Sequence, residues 1–245
     1  PPPPPPPPPP LCSPPHAVNA HPSQVIFTAS GTESNNTIIQ GIADNYPDTH
    51  FGYSAIEHPC ISQPIISLAK KGFASTAISV SQDGLVNLND LEKSKEVPNF
   101  ISIMMVNNET GVIQDMPFII DWAKKRKVLV HTDAVQALGK VPVDFEELGV
   151  DAMTISSHKI YGPQGIAALI LNKKIDLMPF MKGGGQEKGL RSGAIEKETL
   201  LELSMRLFNG YGCHPSKHLI KWMENDWGYF QMDIRHDPKI RDVIY

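Results

Sequence analysis

The sequence is poor in cysteine, in aromatic residues and in long apolar runs, and these shortages exclude several classes of protein. Its three cysteines, Cys12, Cys60 and Cys213, are odd in number and form no C-x-x-C pair, so neither a zinc site nor a redox dithiol is predicted. No run of about 18 apolar residues occurs, which argues against a membrane span. With no basic or apolar leader visible either, we expect a cytoplasmic, reducing environment.

Positive charge is also scarce. The chain has 22 Lys+Arg against 26 Asp+Glu, a formal net charge of −4, which argues against nucleic acid or an anionic membrane as a partner. Hydrophobic residues make up 41% and charged residues 20% of the sequence, a composition typical of globular proteins. A chain of 245 residues is long enough to bury one sizeable core.

Proline, by contrast, is abundant, and ten of the 23 prolines form one block at residues 1–10. Such a block favours a polyproline II rod roughly 30 Å long, which either binds an SH3-like or profilin-like partner or is a disordered leader. We therefore divide the chain into a low-complexity tail (1–22), a main domain (23–197) and an atypical C-terminal segment (198–245). That last segment mixes Trp, His, Met and charged residues without a clear period.

Short apolar runs alternate with helical patterns throughout the main domain. The predicted strands are residues 25–28, 51–55, 74–80, 100–106, 128–131, 152–155 and 166–171. The predicted helices are residues 34–44, 61–71 with Pro64 in the first turn, 88–95 and 117–127. This alternation predicts an α/β fold, with a mostly parallel sheet and helices on both faces.

Polar and ionisable residues follow the predicted strands, where open α/β sheets bind their ligands. Residues 30–36 form a hydroxyl-rich turn that opens a helix; its free N–H groups suit a phosphate, although the same residues are ordinary helix caps. Asp133 follows a buried strand, and burying a carboxylate is unfavourable unless a cation pairs with it. Lys159 follows another, where burial would favour the uncharged, nucleophilic amine. A phosphate cradle, an acid and a lysine are what pyridoxal 5'-phosphate requires of a protein.

Six segments carry a specific resemblance: IFTASGTESNN, IEH, VNNETGVIQD, VHTDAVQALGKVPVD, ISSHKIYGPQGIAAL and GGGQEKGLRSG. In this order they resemble the cysteine desulfurase / selenocysteine lyase branch of the class V aminotransferases, over about residues 19–195. The resemblance implies the large domain of a fold-type I aminotransferase and bound pyridoxal 5'-phosphate. It also implies a homodimer that converts cysteine or selenocysteine to alanine and passes the sulfur to an acceptor protein, as in iron–sulfur cluster assembly.

The resemblance also implies a role for each matching residue. Lys159 would be the Schiff-base lysine, Asp133 the partner of the pyridine nitrogen, and His58 the residue that stacks on the ring and assists proton transfer. The phosphate ligands would be Gly31, Thr32, Ser156 and His158. The remaining contacts would be Gln136 to the ring oxygen, Asn108 to ring and substrate, and Arg191 to substrate, with Ser192 near the second subunit's site. Where the family has a threonine after RSG, this chain has Ala194.

Parts of the family pattern are not recognisable in this sequence. They are an Asn-Ala-Ala-Thr-Thr-like motif that precedes the match, and a smaller domain with the sulfur-accepting cysteine and a carboxylate-binding arginine. Cys213 has a different context, and Cys60 stands where the family has ordinary residues. Three interpretations stay open: a desulfurase, a degenerate pyridoxal-phosphate-binding copy, and a non-enzymatic module that works through its polyproline arm. We expect that the sequence as given does not complete persulfide transfer by itself.

Overall fold

A single seven-stranded sheet organises the computed structural model, which describes residues 18–92, 97–196 and 199. The strands are β1 (Val25–Thr28), β2 (Phe51–Ser54), β3 (Ser75–Ile78), β4 (Phe100–Ser102), β5 (Leu129–Asp133), β6 (Ala152–Ser156) and β7 (Ala167–Leu171). Their order across the sheet is β1-β7-β6-β5-β4-β2-β3. The five strands from β6 to β3 run parallel, and β7 is antiparallel to both of its neighbours. The predicted mostly parallel sheet is confirmed.

Helices cover both faces of this sheet. They are α1 (Gly31–Asn45), α2 (Pro59–Ala69), α3 (Asn89–Glu92), α4 (Met116–Arg126) and α5 (Phe145–Leu148). Strand side chains alternate between the faces, and the buried residues accordingly divide into two clusters. Phe100 and Leu169 pack with apolar residues of α1 and α2, whereas Ile101 and Ile170 pack with those of α4.

Helix α1 begins where its sequence supplies a reciprocal cap. Ser30 accepts a hydrogen bond from the backbone N–H of Glu33 at 3.1 Å, and the Glu33 carboxylate accepts one from the N–H of Ala29 at 2.8 Å. Two N–H groups that would otherwise lack partners at the start of the helix are thereby satisfied. The cap fixes the point at which the chain leaves β1 and enters α1.

The segment that follows β4 departs from the sequence prediction. A strand was predicted over residues 100–106, but β4 ends at Ser102. The N–H groups of Ile103 and Met105 still donate to carbonyls of β5, at 3.0 Å each, whereas the N–H of Met104 donates to the Glu57 carboxylate at 2.6 Å. At Met104 the Glu57 carboxylate is thus the hydrogen-bond acceptor that a neighbouring strand would otherwise supply. The segment after β4 is therefore buried although it is not part of the sheet.

Other boundaries shift by smaller amounts. Pro64 lies inside α2 and not in its first turn, because the helix already begins at Pro59. The predicted helix over 88–95 is seen as α3, with residues 93–96 outside the described part. Most of the proline tail and nearly all of the C-terminal segment are also outside the described residues. No helix in the described part of the chain is long and apolar enough to cross a bilayer.

The carboxyl-terminal part of the main domain folds back onto the first strand. At the edge of the sheet, the backbone N–H of Phe27 in β1 donates to the Glu187 carboxylate at 2.8 Å. Burial raises the pKa of Glu187, against the effects of that hydrogen bond and of the charges of Lys188 and Arg191. The glycine-rich segment that contains Glu187 is therefore attached to the sheet.

A glycine-to-alanine change in α1 tests the packing of this helix. Alanine normally stabilises a helix interior by about 1 kcal/mol relative to glycine. At Gly41, however, a Cβ would lie 2.5 Å from Leu177 Cδ1 and 2.7 Å from the Met178 carbonyl oxygen. We expect Gly41→Ala to lower the free energy of unfolding by about 1–3 kcal/mol, measured by urea denaturation. Asp44→Ala, at an exposed position of the same helix, should change the free energy of unfolding little. Equal changes in the two variants would contradict the close packing of Gly41 against Leu177.

Candidate functional site

The carboxyl ends of β2, β5 and β6 meet the start of α1 at one edge of the sheet. Gly31, the first residue of α1, is buried, and a Cβ built on it would lie 3.1 Å from Val135 Cγ2 and 3.8 Å from Ser156 Cβ. A larger residue would push the helix away from the strand ends. The contact explains why a glycine stands at this position, and it places α1 beside the polar residues that follow β5 and β6.

Asp133 is the buried centre of this region. It is 6% exposed, its Oδ2 accepts a hydrogen bond from Asn35 Nδ2 at 2.8 Å, and its Oδ1 accepts one from the N–H of Val135 at 3.0 Å. Burial raises the pKa of Asp133, and these two hydrogen bonds oppose the rise. A carboxylate in this condition gains from a further positive charge beside it. The site therefore suits a protonated ring nitrogen.

His58 caps helix α2 and lies close to Asp133. Its Nδ1 accepts a hydrogen bond from the backbone N–H of Cys60 at 3.1 Å and lies 2.9 Å from Cys60 Sγ. A backbone N–H can only donate, so Nδ1 carries no proton, and the neutral ring has its proton on Nε2. It follows that the thiol is the donor in the contact between Sγ and Nδ1. The N–H group of the exposed His58 side chain is thereby the one at Nε2.

Cys60 connects His58 to the carboxylate. Its Sγ also lies 3.0 Å from Asn35 Nδ2, the group that donates to Asp133. Burial raises the pKa of the Cys60 thiol to about 11; the Asn35 hydrogen bond opposes this and the charge of Asp133 adds to it. A thiol that stays protonated is a poor nucleophile. Cys60 is thus suited to orienting His58 and not to attacking a substrate.

The other end of the site is lined by hydroxyl and imidazole groups. The side chain of Ser156 is buried, and its Oγ lies 2.8 Å from His158 Nδ1. Ser157 Oγ is buried without a hydrogen-bond partner among the residues that the structure describes, and Thr32 is exposed in the first turn of α1. Burial lowers the pKa of His158, as does the charge of Lys159. With the N–H groups that open α1, this group offers several donors to an anion.

Lys159 lies at the same edge but is exposed, so the expected burial of this amine is wrong. After Ser156 the chain enters a 3₁₀ helix, Ser157–Ile160, which carries Lys159 out of the sheet. The helix closes on Tyr161, in a left-handed conformation with φ of 61°, and Gly162, where a Cβ would lie 2.0 Å from Ser157 Oγ. This tight turn sets the position from which Lys159 projects.

Three other residues predicted for the site have different surroundings. Gln136 is half-buried and accepts a hydrogen bond from Lys140, and Asn108 is exposed. Arg191 is buried and forms an ion pair with Glu33 of α1, with a distance of 2.5 Å between Nε and Oε1. The predicted contacts of these residues with cofactor, substrate or a second subunit stay predictions.

A polar row lies beneath Asp133, on the same face of the sheet. His131, two residues earlier in β5, is fully buried between Ser102 Oγ, 2.8 Å from Nδ1, and Thr154 Oγ1, 3.1 Å from Nε2. Burial lowers the pKa of His131 to about 3. The ring is therefore neutral, and it joins β4, β5 and β6 directly below the site.

Sequence reasoning missed the parts played by Asn35 and Glu57. Asn35 lies in a polar stretch that predicted only a turn and a helix start; it is four residues after Gly31, about one helical turn away, which would have placed it on the face towards the strand ends. Glu57 precedes His58 and had no apolar or cationic context to mark it. It is buried, and its Oε2 has no partner among the described residues.

Comparisons with known proteins show the family of this chain. The family described as aminotransferase class-V matches residues 16–231. The chain is 44% identical over 183 residues to the mitochondrial cysteine desulfurase of Candida albicans. This match covers 73% of this chain and 38% of that protein. It is 40% identical over 232 residues to the cysteine desulfurase IscS of Neisseria meningitidis serogroup C, which covers 93% of this chain and 54% of that protein.

A solved structure of a NifS-like protein superimposes with a TM-score of 0.76 at 33% identity, over 80% of this chain and 55% of the other. The chain thus spans about half or less of the relatives' length. One relative is named mitochondrial and another is bacterial, so the cytoplasmic location stays a prediction. The fold and these matches agree: this chain belongs to the class V aminotransferase family.

Proposed function

We propose that this chain binds pyridoxal 5'-phosphate at the edge formed by β2, β5, β6 and α1, and that it supports desulfurase chemistry on cysteine or its selenium analogue. The observation that carries the proposal is the buried Asp133 carboxylate, which receives hydrogen bonds from Asn35 and Val135 but has no Lys or Arg partner among the described residues. A protonated pyridine nitrogen would supply the missing charge.

The arrangement of the other residues supports the same cofactor. The start of α1 and the group of Ser156, Ser157 and His158 lie beside the strand ends, where they would bind the phosphate. Ser157 Oγ lies there too, with no hydrogen-bond partner in the described ranges. Lys159 projects from the turn that follows, within reach of solvent and of an incoming aldehyde. Acid, anion site and amine thus all follow strand ends at one edge of the sheet, which supports the proposal.

Once bound, the cofactor supplies an electron-withdrawing ring that weakens bonds at the substrate's α-carbon. The chain's own residues hold and orient it. Asp133 would keep the ring nitrogen protonated, and His58 would offer its Nε2–H group to the bound ligand. Lys159 would hold the cofactor covalently and would be the base that moves the α-proton.

Desulfurase chemistry is favoured over other reactions of the family because the relatives that match are named cysteine desulfurases. The acceptor of the sulfur would be a cysteine thiol outside the described residues or on another protein. By the same relationship we propose a homodimer, with Arg191 and Ser192 near the partner's site. The polyproline arm lies outside the described residues, and its role as a binding module stays a hypothesis.

Replacing Lys159 tests the covalent attachment. Lys159→Ala should leave the fold intact, because the side chain is exposed, and it should abolish borohydride-dependent attachment of pyridoxal 5'-phosphate. The labelled peptide is identified by mass spectrometry. Lys173→Ala is the matched control. Lys173 is also exposed, but it follows the end of antiparallel β7, which lies beside the start of β6 and therefore far from the strand ends that form the site. Labelling of another lysine in wild type would contradict the assignment.

Replacing Asp133 tests the charge on the ring. In Asp133→Asn the fold should persist, because Asn35 Oδ1 has no partner in the described part of the chain and the Asn35 amide can rotate to accept from the new amide. Exchange of the Cα hydrogen of L-alanine in D₂O, followed by NMR, does not require the sulfur-accepting thiol. We expect the exchange to slow by about 100-fold or more, since each ~1.4 kcal/mol is a factor of ten in rate.

Asp151→Asn is the control for this experiment. Asp151 is a partly buried carboxylate whose pKa burial also raises. It accepts a hydrogen bond from the N–H of Val130, near the other end of β5. Its replacement should leave the exchange rate within a few-fold of wild type. Equal exchange in the wild type and in Asp133→Asn would remove Asp133 from the chemistry.

A third test concerns the thiol of Cys60. With a pKa of about 11, the thiolate fraction at pH 7 is on the order of one in ten thousand. We expect no persulfide on Cys60 after one equivalent of cysteine is added, as measured by mass spectrometry of the peptides. A gain of one sulfur atom on Cys60 that disappears in Cys60→Ser would show that it accepts the sulfur.

A further inference from the structure

Glu57 is a buried acid that the proposed chemistry does not use. It follows β2 and lies against the irregular segment after β4, where its Oε1 accepts the hydrogen bond from the N–H of Met104. Its other oxygen, Oε2, is buried and has no partner among the described residues, and no described lysine or arginine bonds to Glu57. A carboxylate with one bare oxygen in such surroundings is strongly disfavoured.

The charged groups around Glu57 make ionisation harder still. Asp133 at the end of β5 is the anion that acts on it, and the ionisable group of α2 next to it is the Cys60 thiol. The neighbouring His58 ring lies close to Asp133, and its Nδ1 accepts a hydrogen bond from the backbone N–H of Cys60. Burial raises the pKa of Glu57 well above its usual range, and the Met104 hydrogen bond opposes that rise without removing its cause.

We propose that Glu57 is held in its neutral, protonated form and acts as a positioning residue. Through Met104 it holds the segment after β4 in place, and by staying neutral it leaves Asp133 as the anion available to a cationic ligand. Two ionised carboxylates in this space would repel each other and compete for the ring nitrogen. The functional part of this inference rests on the proposed cofactor, whereas the protonation of Glu57 does not.

The test compares Glu57→Gln with wild type as the pH is varied. The side-chain amide of glutamine keeps the shape and the acceptor for Met104 but cannot ionise. An acid with a raised pKa in the folded state contributes stability that is complete below its unfolded value, about pH 4.3, and is lost as the pH rises towards the folded value. Over that window the folding equilibrium constant of wild type should fall relative to the variant by up to about tenfold per pH unit.

The measurement is urea denaturation of the full chain without cofactor, at intervals between pH 5 and pH 8. Glu109→Gln, an exposed glutamate on the turn after this segment, should follow the wild-type profile. Parallel profiles for wild type and Glu57→Gln would overturn the proposal. Glu57→Ala, which loses the acceptor for Met104, should be less stable than Glu57→Gln at every pH; equal stabilities would remove the positioning role.

Affinity for pyridoxal 5'-phosphate supplies the second readout. Glu57→Gln should bind the cofactor within about threefold of wild type at neutral pH, since the neutral form is retained; a clearly larger loss of affinity would overturn the inference. If neither wild type nor variant binds the cofactor, the proposed function fails. The pH profiles of the cofactor-free chain still decide whether Glu57 is neutral.

Discussion

The hydrogen bond from Asn35 to the buried carboxylate of Asp133 is the interaction on which the site depends. It joins the first helix to the central strand of the sheet at the point where a ligand would enter. Because it donates to a carboxylate that has no Lys or Arg partner among the described residues, it lowers the unfavourable free energy of burial without removing it. A bound cation would offset the unfavourable free energy of burial that remains. A contact within the fold thus favours the binding of a cationic ligand.

Around this interaction, the chain distributes protons unequally among three ionisable groups. The Cys60 thiol stays protonated and donates a hydrogen bond to His58 Nδ1. His58 carries its own proton on Nε2, and His131 stays neutral below them. The face of the sheet towards α1 changes along its strands from apolar residues such as Phe100 to a polar row next to the site. The apolar part holds α1 and α2, and the polar part orients the groups that face the ligand.

Much of the fold could be predicted because periodicity and buried apolar runs depend on local sequence. Strand β1 was predicted with its observed limits for this reason. The end of β4 could not be predicted, since the Met104 N–H binds a side chain 47 residues away in sequence. Nor does an apolar run reveal that β7 is antiparallel. Lys159 and Asp133 followed from the motifs, but the exposure of Lys159 depends on a 3₁₀ turn that no periodic pattern marks.

The Glu187 carboxylate that accepts from Phe27 also bears on self-association. An edge strand presents unpaired backbone groups, which another chain can extend into a shared sheet. At β1 one of these donors is already occupied by a partly buried side chain, and that side chain belongs to the glycine-rich segment whose Arg191 is bonded to α1. A strand from another molecule could add here only by displacing that segment, which would also disturb the start of α1. The part that protects the sheet from aggregation is therefore connected to the part that would hold the phosphate.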